Sequence, residues 1–378
     1  LAHATDAPAV CAEARPLTQI QRSVQRDGQL LESGVVALLD PLQRAWMREG
    51  TRIRYQVALD DCVAAGGQAL WVYRIGAPYR ITADGRPLLP IQPFTHAGAH
   101  VYNGRVPALF NLPPGARELQ IEFTALPYLT HGLVGLEIAP YDALVAARAV
   151  DSRALTGFND SSSMVISLVG ALALSAWFLR RKDRALLWFG LACVAWAVRG
   201  LAYQTFVLPG DGQWMEQVNP LLVLITCACM VLSTLHSIGQ AHTRWVRVMA
   251  AAVLATAGFL ILGVPLERGG AAARGLGFVV SFLMVLAVMA ALARQTVLRR
   301  EQKLLMLLGF AAMVAGAVHD LGMVTGWITP DHWSMVTPGF TLMLLCYTLA
   351  VSRYLVRNLN RAETTNEELE AVIAARTA

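Results

Sequence analysis

Six residues that can carry charge or polar chemistry are set within apolar sequence or at its edge: Arg199, Glu216, Asn219, Arg274, His319 and Asp320. An ionisable side chain at bilayer depth is costly, so one found there marks a ligand site, an ion path or a switch. Arg199 lies about 14 residues into its apolar segment, and His319 and Asp320 about 16 into theirs, counted from the same side. At about 1.5 Å per residue, both levels lie roughly 20–25 Å in. An Arg199–Asp320 ion pair, extended by His319, is therefore geometrically allowed. Glu216, Asn219 and Arg274 sit at the same outer level, and the six together can line a polar cavity or a ligand-responsive switch. Pro220 and Pro338 lie nearby, where freed carbonyls can kink helices and widen such a cavity. The competing reading is that these charges pair only to fix helix packing.

Neither reading is catalysis. The chain has no P-loop, no G-x-S-x-G and no H-E-x-x-H, so no active site and no cofactor are expected. Metal binding is not expected either. Among His96, His100 and His131, the His-x3-His spacing falls on a loop instead of a helix and is a weak signal, and Cys227 and Cys229 are two soft ligands without a nearby histidine partner.

The elements that must position the six residues are seven apolar segments: Ser162–Leu179, Ala185–Val207, Val218–Ile238, Val246–Leu262, Gly275–Ala293, Leu304–Ile328 and Met335–Leu355. A bilayer span takes about 20 residues, and the spacing predicts a seven-helix transmembrane bundle over 151–357. Arg180, Arg181, Lys182 and Arg184, then Arg244 and Arg247, then Arg294, Arg299, Arg300 and Lys303, and finally Arg353, Arg357 and Arg361 all fall on one side. The positive-inside rule makes that side cytoplasmic and the N-terminus external. Trp214, Trp327 and Trp333 at one level, with Trp188 and Trp245 at the other, suit aromatic interface belts.

Composition agrees: 55% hydrophobic, 15% charged and a mean hydropathy of +0.47 exclude an ordinary soluble protein. The net charge of +5 is accounted for by loop arginines facing anionic lipid. No basic stripe with interleaved aromatics appears, so nucleic acid is not an expected partner and membrane lipid is.

An external N-terminal domain requires export, and a signal peptide is expected to have preceded Leu1. The expected location is a bacterial inner membrane, with residues 1–150 periplasmic. Cys11 and Cys62 are the two cysteines of that region, and in an oxidising compartment a disulfide between them is expected. Ile53–Leu59 and Leu119–Phe123 alternate apolar and polar residues, and Leu70–Ile75 and Arg80–Thr82 add strand formers. Turn signals at Ala65-Gly66-Gly67, Asn103-Gly104 and Pro113-Pro114-Gly115 separate them, and Asp84-Gly85 predicts a hairpin. Pro41–Glu49 reads as briefly helical. The pattern predicts an all-β, jelly-roll-like sandwich. Trp71, Tyr73, Tyr79, Phe94 and Tyr102 are its candidate ligand platform, for stacking on a sugar ring, unless they are core. From Tyr141 to Asn159 only Gly157 breaks the sequence, which predicts a stiff connection to the first span.

Past the last span, Leu355, Leu359, Ala362, Asn366, Leu369 and Ile373 recur at 4-3-4-3-4 spacing. That is a coiled-coil seam with a polar residue at one a position, the arrangement of a parallel homodimer. About three heptads are few for an independent coiled coil, so the sequence is expected to continue into a further domain.

Glu367-Glu368-Leu369-Glu370-Ala371-Val372-Ile373-Ala374-Ala375-Arg376-Thr377-Ala378 resembles the L-E-x-x-V-x-x-R-T signalling helix that precedes bacterial histidine kinase cores and some diguanylate cyclases. With the sandwich and the spans, the whole chain resembles the bacterial seven-transmembrane receptors with diverse intracellular signalling modules. The resemblance implies a carbohydrate-binding-like external domain and a cytoplasmic kinase, cyclase or phosphatase output. No phosphoacceptor histidine box or cyclase motif is present, so any enzymatic output is implied only. The reading is a periplasmic sensor (1–150), a seven-helix bundle (151–357) and a cytoplasmic signalling helix (358–378). It senses an external small molecule, glycan or protein and acts through a histidine kinase on a response regulator. The alternatives are a carrier with a periplasmic accessory domain, and a membrane scaffold.

Overall fold

The computed structural model describes residues 15–377 except 41, 44–45, 47–49, 60–66, 74, 76, 92–99, 103–106, 126–131, 153–157, 202–205, 209–214, 241–243, 264–269, 297, 326 and 329–334. Cys11, Cys62, Phe94, His96 and His131 thus lie outside the described residues.

The N-terminal region is antiparallel β. Its strands are β1 (Arg15–Pro16), β2 (Gln19–Arg26), β3 (Gln29–Ala37), β4 (Thr51–Ala58), β5 (Gln68–Val72), β6 (Tyr79–Ala83), β7 (Arg86–Pro87), β8 (His100–Tyr102), β9 (Ala108–Asn111), β10 (Glu118–Thr124) and β11 (Leu136–Pro140). One sheet runs β1-β11-β5-β9, and the larger runs β8-β6-β10-β4-β2-β3 with β7 beside β6. Alternation fixes which face is buried: Ile53, Tyr55 and Val57 of β4, and Leu119, Ile121 and Phe123 of β10, point inward. They meet Leu70, Val72, Phe110, Leu136 and Ile138 of the smaller sheet in one core. The Asp84-Gly85 hairpin forms, with both residues at positive φ (47° and 77°) as a type I′ turn requires. Asp27-Gly28 makes a second such hairpin between β2 and β3.

Helix α1 (Tyr141–Ser152) leaves β11 and packs on the outer face of the smaller sheet. Leu144 buries against Ala69, Trp71 and Ala139, and Arg148 forks onto Glu137 of β11. The stretch expected to be stiff is helical to Ser152 and docked on the sheet as well.

Among the described residues, seven more helices follow: α2 (Phe158–Leu179), α3 (Arg184–Leu201), α4 (Met215–Ser237), α5 (Arg244–Gly263), α6 (Gly270–Arg294), α7 (Arg300–Thr325) and α8 (Val336–Thr377). Among the described residues, α2, α4, α6, α7 and the first part of α8 are long and apolar enough to cross a membrane. In α3, 18 residues long, arginines stand first and near the end, and the apolar stretch of α5 is only Val246–Ile261. Glycines set the closest crossings. A Cβ on Gly339 would lie 2.6 Å from the carbonyl oxygen of Ala312, and one on Gly316 would overlap that of Met335, so α7 and α8 touch backbone to backbone.

The end of the second segment differs most in kind from the sequence expectation. The second apolar segment does not run as helix to Val207: α3 ends at Leu201, and Phe206–Leu208 form a further strand, β12. Aromatic and β-branched residues followed by Pro209 favour extended chain over helix. β12 pairs antiparallel with β8, Phe206 opposite Tyr102 and Leu208 opposite His100, and becomes an edge of the larger sheet.

Candidate functional site

The charged set divides into two pairs. Arg199, near the end of α3, is only 3% exposed. Its Nε donates to Oδ1 of Asn219, in the first turns of α4, at 3.0 Å, and its guanidinium lies over the Trp196 ring, 4.2 Å from the centroid. On α7, His319 Nδ1 lies 3.3 Å from Asp320 Oδ1. The same oxygen accepts the main-chain N–H of Met335 at 2.8 Å, at the entry to α8. The expected Arg199–Asp320 ion pair is therefore not formed among the described residues. α3 packs chiefly against α2 and α4, whereas α7 packs against α8, so each residue is partnered by its own neighbour. Glu216 lies in α4 and Arg274 in α6; their side chains are outside those described.

Around Arg199 the bundle has an aromatic spine that composition and charge do not reveal. Trp196 stacks on Phe340 of α8 with centroids 3.7 Å apart and planes at 11°. One heptad along each helix, Phe189 stacks on Tyr347 at 5.0 Å and 28°. Tyr347 is buried, and its hydroxyl shares a 2.7 Å hydrogen bond with Ser233 of α4. Ser233 Oγ also bonds the carbonyl of Ala185, closing a triangle of α3, α4 and α8. The sequence signal that finds the spine is the matched spacing of seven in Phe189/Trp196 and Phe340/Tyr347.

In the sandwich, two members of the expected aromatic platform are core. Tyr79, on the larger sheet, points into the core between the sheets, and Trp71, on the smaller sheet, points away from that core and lies under α1, so they cannot form one surface. The alternation in β5 and β6 sends them there. Tyr73 is half-buried, and Tyr102 is in β8 with its side chain outside those described.

The sandwich also holds a polar cluster that sequence patterns missed. Arg22, on β2, bonds Asp40 and Glu32, and its guanidinium sits 4.4 Å over the ring of Trp46. Asp40 also accepts the Tyr55 hydroxyl at 2.7 Å. Burial would lower the Arg22 pKa, but the bonds to Asp40 and Glu32 leave it raised. Burial first, and then Asp40, pushes the Tyr55 hydroxyl far up. Arg22, Asp40 and Trp46, with Leu39, Leu42 and Gln43, line an open cavity of about 470 Å³. Its polar groups are spent on one another, which suits a buried brace better than a vacant ligand site. Cys193, Cys227, Cys229 and Cys346 are buried free thiols, and no metal-binding cluster occurs among the described residues.

The exit of α8 is solvated. Glu301 of α7 reaches Arg357 at 3.6 Å, and beyond it Leu369 and Ile373 are 54% and 61% exposed. Leu355, Leu359, Ala362 and Asn366 lie on the same helix, with side chains outside those described.

Comparison with known proteins gives one informative match. Residues 163–353, just over half of the chain, match the family described as 7TM diverse intracellular signalling. The crystal structure of a GH2 beta-galacturonidase from Eisenbergiella tayi, bound to galacturonate, overlaps 34% of this chain at 15% identity. The overlap spans about a quarter of that enzyme (24%), and its TM-score of 0.24 is too low to carry an argument. No curated protein matches the chain.

Proposed function

The chain belongs to the 7TM family of diverse intracellular signalling, and on that premise we propose that it is the sensing and transmembrane part of a receptor that drives a histidine kinase. Being a multi-pass membrane signalling protein follows from the family and the apolar helices. The finer reading places the sandwich in the periplasm, where it meets a small molecule, glycan or protein. The bundle shifts between two packings, and the C-terminal helix reports the shift as a parallel dimer in the cytoplasm. A ligand moves such an equilibrium only by its differential affinity for the two packings.

One observation carries this reading. α8 is a single 42-residue helix that starts inside the bundle and runs to Thr377. At about 1.5 Å per residue it extends some 35 Å past Arg353, the end of its apolar part. A rotation or shift of its buried start is thereby delivered to its solvated end.

The test is to join the chain to a histidine kinase core and measure phosphoryl transfer to a response regulator in membrane vesicles. Arg199→Gln and Asp320→Asn, each removing a polar anchor of the bundle, are expected to bias output in either direction. Output unmoved by both variants, in a protein that is folded and active, would remove the charged set from the switch.

A further inference from the structure

We propose that β12 is a strap by which the sensor sheet holds the bundle, and that Arg199, Trp196 and Phe340 carry its position to α8. The proposal rests on the receptor reading and deepens it by naming the route. Among the described residues, two connections between the sandwich and the helices stand out. One is the covalent run through α1. The other is β12, which lies in the segment between α3 and α4 yet is hydrogen-bonded to β8 of the larger sheet in the register Val207 opposite Val101.

The strap is short at both ends. Only residues 202–205 separate it from α3, and only residues 209–214 separate it from α4. At its base, the 3.0 Å bond from Arg199 Nε to Asn219 Oδ1 clamps the end of α3 to the start of α4. A displacement of β8 therefore acts on two helix ends that are already bonded to each other.

From that base the contacts are continuous. The Arg199 guanidinium covers the Trp196 ring at 4.2 Å from its centroid, and the Phe340 ring covers it at 3.7 Å. Two groups that close cannot share a face without overlapping, so the indole is sandwiched between the clamp and α8. Phe340 lies in the first turns of α8, and nothing interrupts the helix from there to Thr377. Close packing makes such contacts shift between discrete arrangements instead of yielding softly. Arg199, Trp196 and Phe340 are thus positioning residues between the sheet and the output helix.

The test uses the full chain in nanodiscs, with Cys11 and Cys62 replaced by serine and with Val101→Cys and Val207→Cys opposite each other across β8 and β12. Oxidation is expected to form the intrachain crosslink and to slow amide hydrogen exchange in residues 354–377 by about fivefold, the lower end of ordinary allosteric coupling. Trp196→Leu is expected to leave the crosslink intact and return the oxidised-to-reduced ratio to about one. Phe340→Leu does the same from the α8 side and serves if the tryptophan variant fails to fold. Failure to crosslink, exchange that ignores oxidation, or a fivefold effect that survives both leucine variants would each overturn the proposal. A joined kinase core that stays silent while exchange responds would instead defeat the receptor reading and leave the strap standing.

Discussion

Trp196 and Phe340 lie face to face, 3.7 Å between ring centroids and 11° from parallel, and join α3 to the helix that leaves the bundle. In a membrane, helices gain little from apolar burial against each other, because lipid is as apolar as leucine. Specific packing must then hold the contact, and a stacked aromatic pair contributes about 0.5–1.5 kcal/mol beyond area. Trp196→Ala, Phe340→Ala and the double variant are expected to show a coupling of about 1 kcal/mol in this range, read from unfolding in mixed micelles. Additive losses would mean that the rings touch without holding the helices.

The glycines of the α7–α8 crossing give a second expectation. Gly339→Ala drives a methyl to 2.6 Å from the Ala312 carbonyl oxygen, a contact backbone cannot relieve by a rotamer change. Overpacking of this kind costs about 1–3 kcal/mol. Gly258 on α5 has nothing within 4 Å of its would-be Cβ, so alanine there is expected to be neutral or to raise stability through helix propensity. Thermal unfolding in detergent separates the two, and equal effects would refute the packing argument.

Much of the architecture was legible because periodicity reports one face at a time. Alternation in β4 and β10 and the apolar runs of α2, α4, α6 and α7 announced themselves, as did the Asp84-Gly85 turn. The Asp27-Gly28 pair carries the identical signal for the β2–β3 hairpin. The partners of Arg199 were not legible. Depth from the membrane surface places Arg199 and Asp320 at one level, but which helices adjoin is a tertiary fact, and it gives Arg199 to Asn219 instead. β12 was hidden for a related reason: its residues are as apolar as the span they follow, and only pairing with β8 distinguishes strand from helix. The Arg22–Asp40–Tyr55 brace joins residues distant in sequence and has no local motif.

Alkaline pH should find the buried tyrosines of the sandwich. Burial holds Tyr79 well above its ordinary pKa, and burial together with Asp40 does so for Tyr55. Below about pH 10 both states keep the protons and stability does not depend on these groups. Above it the unfolded chain releases protons that the folded chain retains, so stability falls by about 1.4 kcal/mol per pH unit for each tyrosine. Tyr79→Phe is expected to shrink that slope by one tyrosine's share. Among the described residues the Tyr79 hydroxyl finds no hydrogen-bond partner, so the variant should cost nothing at neutral pH and gain up to about 1 kcal/mol. Denaturant unfolding of the full chain between pH 9 and pH 11 checks both points, and an unchanged slope in the variant would place Tyr79 in contact with water.

The seam of the exit helix gives the last expectation. Leu369 and Ile373 expose large apolar side chains on a helix that has left its bundle, and they continue the spacing of Leu355, Leu359, Ala362 and Asn366. A single helix gains nothing from such a stripe, whereas two in parallel bury it and bring each Asn366 beside its counterpart, which fixes register. Single cysteines from Leu355 to Ile373 in native membranes are therefore expected to crosslink most at those six positions and least at positions between them, such as Arg357 and Glu368. Asn366→Leu should strengthen the crosslinks while blurring their periodicity, because the polar residue selects register at a cost in stability. A flat profile in the parent chain would leave α8 a solvated single helix, and signalling by a change in a parallel pair would have to be abandoned.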